Sequence, residues 1–211
     1  QTMTKADTAD ADAVLEQIRR CAMAGVDIVR VAIPTAEALD GFARICAESP
    51  LPVVADIHFD YRLAIRSVEN GISKVRINPG NIGGEKNVRL LADCLKAHHV
   101  PVRIGVNSGS LEKDILKKYG GVTAEGMVES GLTHARMLED AGFTDICISY
   151  KATNVRATVE ACRLAAQKSD YPQHIGVTES GTPATGMVKS AVGIGALLLD
   201  GIGDTIRVSL T

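Results

Sequence analysis

Two hydrophobic periods alternate along this chain. Short runs in which apolar and polar positions trade places at period two predict strands over 27–33, 52–57, 73–77, 101–106, 145–149, 174–178 and 204–210. Between them, Ala, Leu, Glu and Arg recur at helical spacing and predict helices over 12–24, 35–48, 60–70, 84–98, 124–141, 153–168 and 184–199, with a short one over 111–118. Residues 1–4 read as the tail of one more strand, first in order. Stop signals are Gly25, Gly71, Gly142 and Gly201, and Thr153 or Asn154 opens the helix near 153. Ser110 reads as the N-cap of a helix that begins at Leu111, with Lys113 on its exposed side.

Strict alternation of strand and helix predicts a parallel sheet with helical crossovers. The sheet is either open and doubly wound or closed into a (β/α)₈ TIM barrel. In Val75-Arg76-Ile77-Asn78, Val102-Arg103-Ile104-Gly105-Val106-Asn107 and Ile206-Arg207-Val208-Ser209, polar residues keep one parity and apolar residues the other. An open sheet covered by helices on both faces predicts continuous apolar strands instead. Alternation suits a barrel whose outer face meets helices and whose inner face meets a ligand, so an α/β TIM barrel is expected. A typical barrel takes about 250 residues. These 211 are therefore read as one barrel domain over 1–211, trimmed in its first strand and after its eighth.

Composition narrows the partners. A net charge of −2 and 3% aromatic residues supply neither the basic field nor the stacking surface that nucleic acid needs. The apolar stretches are too short to span a bilayer. No charged n-region precedes an apolar core, so no secretory signal is read, although Gln1 looks like an internal cut. Cys21, Cys46, Cys94, Cys147 and Cys162 form no CxxC pair and read as small buried hydrophobes in a reducing cytoplasm.

The candidate chemistry lies at the strand ends, where barrel active sites are built. Four apolar runs carry an arginine in mid-run: Arg30, Arg76, Arg103 and Arg207. A buried guanidinium is costly unless an anion meets it. With Lys151 they supply five positive charges against two strand-end carboxylates, Asp56 and Glu179. The surplus favours a dianionic or trianionic ligand, and diphosphate suits it better than one carboxylate. Asn78, Asn107 and Ser209 add neutral hydrogen-bonding groups. Asp56 either pairs with an arginine inside the barrel or takes part in catalysis. His58 is a hydrogen-bonded structural residue or a member of the same site. The glycine-rich 80–84 loop matches no phosphate-loop pattern and is either a plain turn or a set of amides for phosphate. Glu179, past a strand and beside cations, is a candidate proton donor or hydroxyl ligand.

The segments Val54-Ala55-Asp56-Ile57-His58-Phe59-Asp60, Arg76-Ile77-Asn78-Pro79-Gly80-Asn81-Ile82-Gly83 and Arg103-Ile104-Gly105-Val106-Asn107-Ser108-Gly109-Ser110-Leu111-Glu112-Lys113 closely resemble the 4-hydroxy-3-methylbut-2-enyl diphosphate synthase family. So do Gly176-Val177-Thr178-Glu179-Ser180-Gly181 and the run from Gly201 to Leu210. The resemblance covers essentially the whole chain. It implies an isoprenoid-pathway oxidoreductase that reductively opens 2-C-methyl-D-erythritol 2,4-cyclodiphosphate and removes a hydroxyl as water. It implies an N-terminal barrel that holds the diphosphate. A [4Fe-4S] cluster would sit on three cysteines and a glutamate of a separate C-terminal domain, fed by flavodoxin or ferredoxin. It also implies a homodimer in which one subunit's cluster domain caps the other's barrel. By motif match, Arg30, Arg76, Arg103, Lys151, Arg207 and Ser209 would grip the diphosphate. Asn78, Asn107, His58 and Asp56 would line the same mouth, and Glu179 would face the hydroxyl end as proton donor. None of the five cysteines matches the cluster ligands, so this chain is expected to bind substrate without turning it over alone. Two other classes remain: a non-redox barrel enzyme on a phosphorylated or pterin substrate, like the dihydropteroate synthases, and a phosphate-binding domain without catalysis.

Overall fold

The computed structural model describes residues 1–78, 81–82 and 84–209. Strands and helices alternate in the order β1 (Thr2–Met3), α1 (Ala11–Met23), β2 (Val29–Ala32), α2 (Ala38–Glu48), β3 (Val53–Asp56), α3 (Tyr61–Glu69), β4 (Lys74–Ile77) and α4 (Gly84–His98). They continue with β5 (Val102–Asn107), a 3₁₀ turn (Ser108–Ser110), α5 (Lys113–Tyr119), α6 (Ala124–Asp140), β6 (Ile146–Lys151), α7 (Val155–Lys168), β7 (His174–Ile175), α8 (Pro183–Leu199) and β8 (Thr205–Ile206). The chain forms two compact units, Gln1–Arg103 with Met137–Asp145, and Ile104–Arg136 with Ile146–Thr211. β5 and α6 run from one into the other.

In the first unit, β1, β2, β3, β4 and the start of β5 lie side by side in chain order. The register pairs Val31 with Ala55, Ala32 with Asp56, and Asp56 with Arg76, all parallel. Partners in a parallel ladder share a face, and successive residues oppose one another. Arg30, Ala32, Val54, Asp56 and Arg76 therefore share one face, and Val29, Val31, Val53, Ala55 and Val75 the other. The expected polar parity is present. The apolar face is sealed by helices that bury one stripe each, as in Val14, Leu15 and Ile18 of α1, all at 0% exposure. Asp10 caps α1 through Ala13 N at 3.0 Å, and Asp60 caps α3 through Arg62 N at 2.8 Å.

In the second unit, the rest of β5 lies beside β6, β6 meets β7 through an Ile148–Gln173 bridge, and β7 pairs with β8. Asn154, one of the two expected starters, caps α7 through Ala157 N at 3.1 Å. The expected stops Gly25, Gly71, Gly142 and Gly201 follow their helices with φ between 73° and 81°.

Three expectations are corrected. Ser110 does not cap a helix: it ends the 3₁₀ turn, and α5 starts at Lys113 with Glu112 at its N-cap. β7 and β8 hold two residues each, shorter than 174–178 and 204–210: the paired ladder ends at Ile175 and Ile206, and the chain bends at 178–179. Of the five cysteines, Cys147 and Cys162 are buried, whereas Cys21, Cys46 and Cys94 are half-buried at the edges of helix stripes. Leu210, in the last expected strand, and Pro79, Gly80 and Gly83, in the glycine-rich loop, lie outside the described residues.

Candidate functional site

In the first unit, Asp56 is the hub. It ends β3 at 2% exposure, which would be prohibitive for a lone carboxylate. Arg76 Nη1 donates to its Oδ1 at 2.9 Å, and Arg30 Nε lies 3.4 Å from its Oδ2. His58 Nε2 is 3.7 Å from the same Oδ2, with a half-exposed ring. Register explains the meeting. Arg76 is Asp56's direct partner on β4, and Arg30 stands two residues before its partner on β2, on the same face. Burial pushes the Asp56 pKa up. The hydrogen bond with His58 and the charges of Arg30 and Arg76 outweigh that and hold it well below the usual carboxylate range. Asp56 is therefore ionised at neutral pH and takes the pairing role foreseen as one of its alternatives.

The other first-unit candidates lie just after β4 and near the start of β5. Asn78 follows β4 at 7% exposure. Arg103 is 2% exposed, and its Nη1 donates to Gln1 Oε1 at 2.9 Å. Arg30 Nη2 approaches Met3 Sδ at 2.9 Å. Neither partner of these two arginines was singled out from the sequence, because each contact joins residues far apart in the chain. Two cations thus meet on one acid among buried side chains.

In the second unit, Asn107 ends β5 half-buried, and Lys151 ends β6 at 5% exposure. Thr158 Oγ1 clamps the residue after it, accepting from Ala152 N at 3.0 Å and donating to Ala152 O at 3.1 Å. Gly176, just past β7, was not singled out either. A Cβ there would lie 3.3 Å from Lys151 Nζ and would collide with the carbonyl oxygen of Arg207. Only glycine lets these two cationic residues and the β7 end come so close. Arg207, half-buried, is anchored through its own N to Ile175 O at 3.0 Å. Ser209 is 8% exposed, and its carbonyl accepts from the hydroxyl of fully buried Ser180.

Glu179, immediately before Ser180, is exposed and has φ 47°. A non-glycine residue gains nothing locally from that conformation, which costs about 1–2 kcal/mol and tends to persist where a side chain is aimed for function. The signal for this turn was the Thr178-Glu179-Ser180-Gly181 string itself.

The cysteines do not fit an iron–sulfur cluster. They lie on α1, α2, α4, β6 and α7, and no three His, Cys, Asp or Glu side chains among the described residues could share a metal ion. Burial pushes the Cys46 and Cys162 thiols up to about 12, opposite to the direction a ligand thiolate needs.

Parallel strand–helix repeats with polar side chains at the carboxyl ends of the strands define an α/β protein of the TIM-barrel class. The GcpE TIM-barrel domain matches residues 1–211, and the chain belongs to that family. It is 56% identical over 211 residues to the 4-hydroxy-3-methylbut-2-en-1-yl diphosphate synthase (flavodoxin) of Caldanaerobacter subterraneus subsp. tengcongensis, covering all of this chain and 59% of that protein. The protein of the same name from Geobacter sulfurreducens is 55% identical, with 60% of its length covered. The chain thus spans about three fifths of these relatives. Among solved structures, the Yersinia pestis dihydropteroate synthase has a TM-score of 0.68 at 12% identity, covering 100% of this chain and 85% of its own. A truncated 3-deoxy-D-arabino-heptulosonate 7-phosphate synthase from Thermotoga maritima has a TM-score of 0.63 at 16% identity, covering 97% and 72%. At such identities these two share the fold with this chain and carry nothing about its substrate. No helix among the described residues is long and apolar enough to cross a membrane.

Proposed function

We propose that residues 1–211 are the substrate-binding barrel of a cytoplasmic 4-hydroxy-3-methylbut-2-en-1-yl diphosphate synthase of isoprenoid biosynthesis. The reaction takes 2-C-methyl-D-erythritol 2,4-cyclodiphosphate, two electrons and two protons. It opens the ring at a C–O bond, expels one hydroxyl as water and leaves the linear diphosphate. By the motifs shared with that family, Arg30, Arg76, Asn78, Arg103, Asn107, Lys151, Arg207 and Ser209 serve as phosphate ligands. Glu179 delivers a proton to the departing hydroxyl. Asp56 and His58 complete the catalytic set: the carboxylate holds both arginines extended and faces the imidazole, so the cations need no rearrangement when the anion arrives. The observation that carries this reading is the buried Asp56 shared by Arg30 and Arg76, which holds two guanidiniums together in the strand ends. The 52–56% identity to flavodoxin-dependent synthases supports the choice of substrate and of flavodoxin as electron donor.

The family resemblance assigns a [4Fe-4S] cluster to a domain outside these residues, where it would supply the electrons, and a homodimer to the whole protein. Calorimetric titration of this chain with the cyclic diphosphate is expected to give saturable, salt-sensitive binding. Full-length protein with reduced flavodoxin is expected to release the linear diphosphate. Absence of both would overturn the proposal, and turnover of a pterin substrate instead would move the chain to the dihydropteroate-synthase class.

A further inference from the structure

The turn after Asn107 is tied down by a polar cluster that the proposed chemistry does not use. Asn107 ends β5, Ser108–Ser110 form the 3₁₀ turn, and Leu111 is buried. Glu112 then takes the N-cap of α5, where an oxygen-bearing side chain ordinarily bonds the first amides of the helix. It makes no such bond. Its carboxylate reaches α6 instead, where Oε1 lies 2.9 Å from His134 Nε2 and accepts from Ser130 Oγ at 3.0 Å. His134 and Ser130 are 5% and 3% exposed. Burial pushes the Glu112 pKa up, but bonds from His134, its own backbone amide and Ser130 hold it below the ordinary value. Glu112 Oε2 and His134 Nδ1 are buried with no hydrogen-bond partner among the described residues, so losing Glu112 takes from the His134 ring its bonded partner and losing His134 leaves the Glu112 carboxylate only Ser130.

The same turn of α6 seats a second element. Gly131, next to Ser130, faces Tyr150 of β6 so closely that an added Cβ would fall 2.7 Å from Tyr150 Oη. Tyr150 directly precedes Lys151. One helix turn therefore registers both the strand that carries Lys151 and the loop that follows Asn107.

We propose that Glu112 and His134 are positioning residues whose pairing fixes the 108–111 turn and with it the place of Asn107. The proposal rests on the assignment of Asn107 to the diphosphate site. In the full-length protein, hydrogen exchange of amides 108–112 and calorimetry with inorganic diphosphate test it on E112A, H134A, the double variant and E112Q. Each truncation is expected to speed exchange in this segment about tenfold, as loss of a buried hydrogen-bonded partner does. The double variant should be no worse than the worse single, because the two side chains act as one unit. Diphosphate affinity should fall with exchange protection, and E112Q, which retains an acceptor, should recover part of both. Unchanged exchange, additive exchange, or lost protection with intact diphosphate affinity would each overturn the proposal. A wild-type protein that ignores diphosphate would defeat the proposed function instead. The exchange arm would then still decide the pair: a shared, non-additive loss supports it as holding the turn, and unchanged rates refute it.

Discussion

Replacing Asp56 with Asn keeps the shape of the side chain and one acceptor but removes the charge that Arg30 and Arg76 share. Two buried guanidiniums, at 8% and 7% exposure, then lose the carboxylate they share. Breaking a buried pair from one side costs about 3–5 kcal/mol. A unit charge about 4 Å away contributes about 4 kcal/mol at an effective dielectric of 20, which agrees. Because Asn retains one hydrogen bond, the lower end applies: about 3 kcal/mol at neutral pH, or a melting temperature lower by about 6–12 °C for a chain of this size. The pH dependence has a definite sign. The folded pKa of Asp56 is depressed, so its stabilisation is fully present above the unfolded value of about 3.9 and is lost as pH falls below it toward the folded value. The gap between wild type and D56N should be full at pH 7 and shrink on acidification below about pH 4. Urea denaturation at a series of pH values, with equal m-values for the two proteins, measures it. A variant within about 0.5 kcal/mol of wild type at pH 7, the usual scatter of an inconsequential substitution, would refute the electrostatic account of this cluster.

Other expectations follow from single residues. Gly176→Ala places a Cβ against the Arg207 carbonyl and should cost about 1–3 kcal/mol in denaturant unfolding; an unchanged midpoint would show that β7 and β8 separate freely. Glu179→Gly removes a left-handed backbone penalty of about 1–2 kcal/mol. It should leave stability equal or improved while abolishing turnover in the full-length protein, and a clear loss of stability would contradict a conformation held for function. Arg103→Ala should chiefly weaken binding of the cyclic diphosphate, whereas Glu179→Gln should chiefly slow turnover; equal loss of affinity in both, by calorimetry, would dissolve that division of roles.

The architecture was legible in the chain because its two periods differ so plainly. The parity of Arg76 against Val75 and Ile77 anticipated which face of β4 it occupies, and the register with Asp56 agrees. What escaped were choices settled by distant residues. Ser110 has the right chemistry to cap a helix, yet the helix starts later because Glu112 finds His134 and Ser130 on α6. Gln1 and Met3 read only as the tail of a first strand, and they also carry contacts of Arg103 and Arg30. Gly176 drew no notice because its value lies in a carbonyl and an ammonium that come from other strands.

The carboxylate of Asp56 stands on β3, and the guanidiniums it holds come from the strands on either side. A change at either arginine is therefore felt by the one carboxylate that the other also holds. The two guanidiniums are accordingly linked through one anion, and neither can be counted as an independent contributor to the cluster.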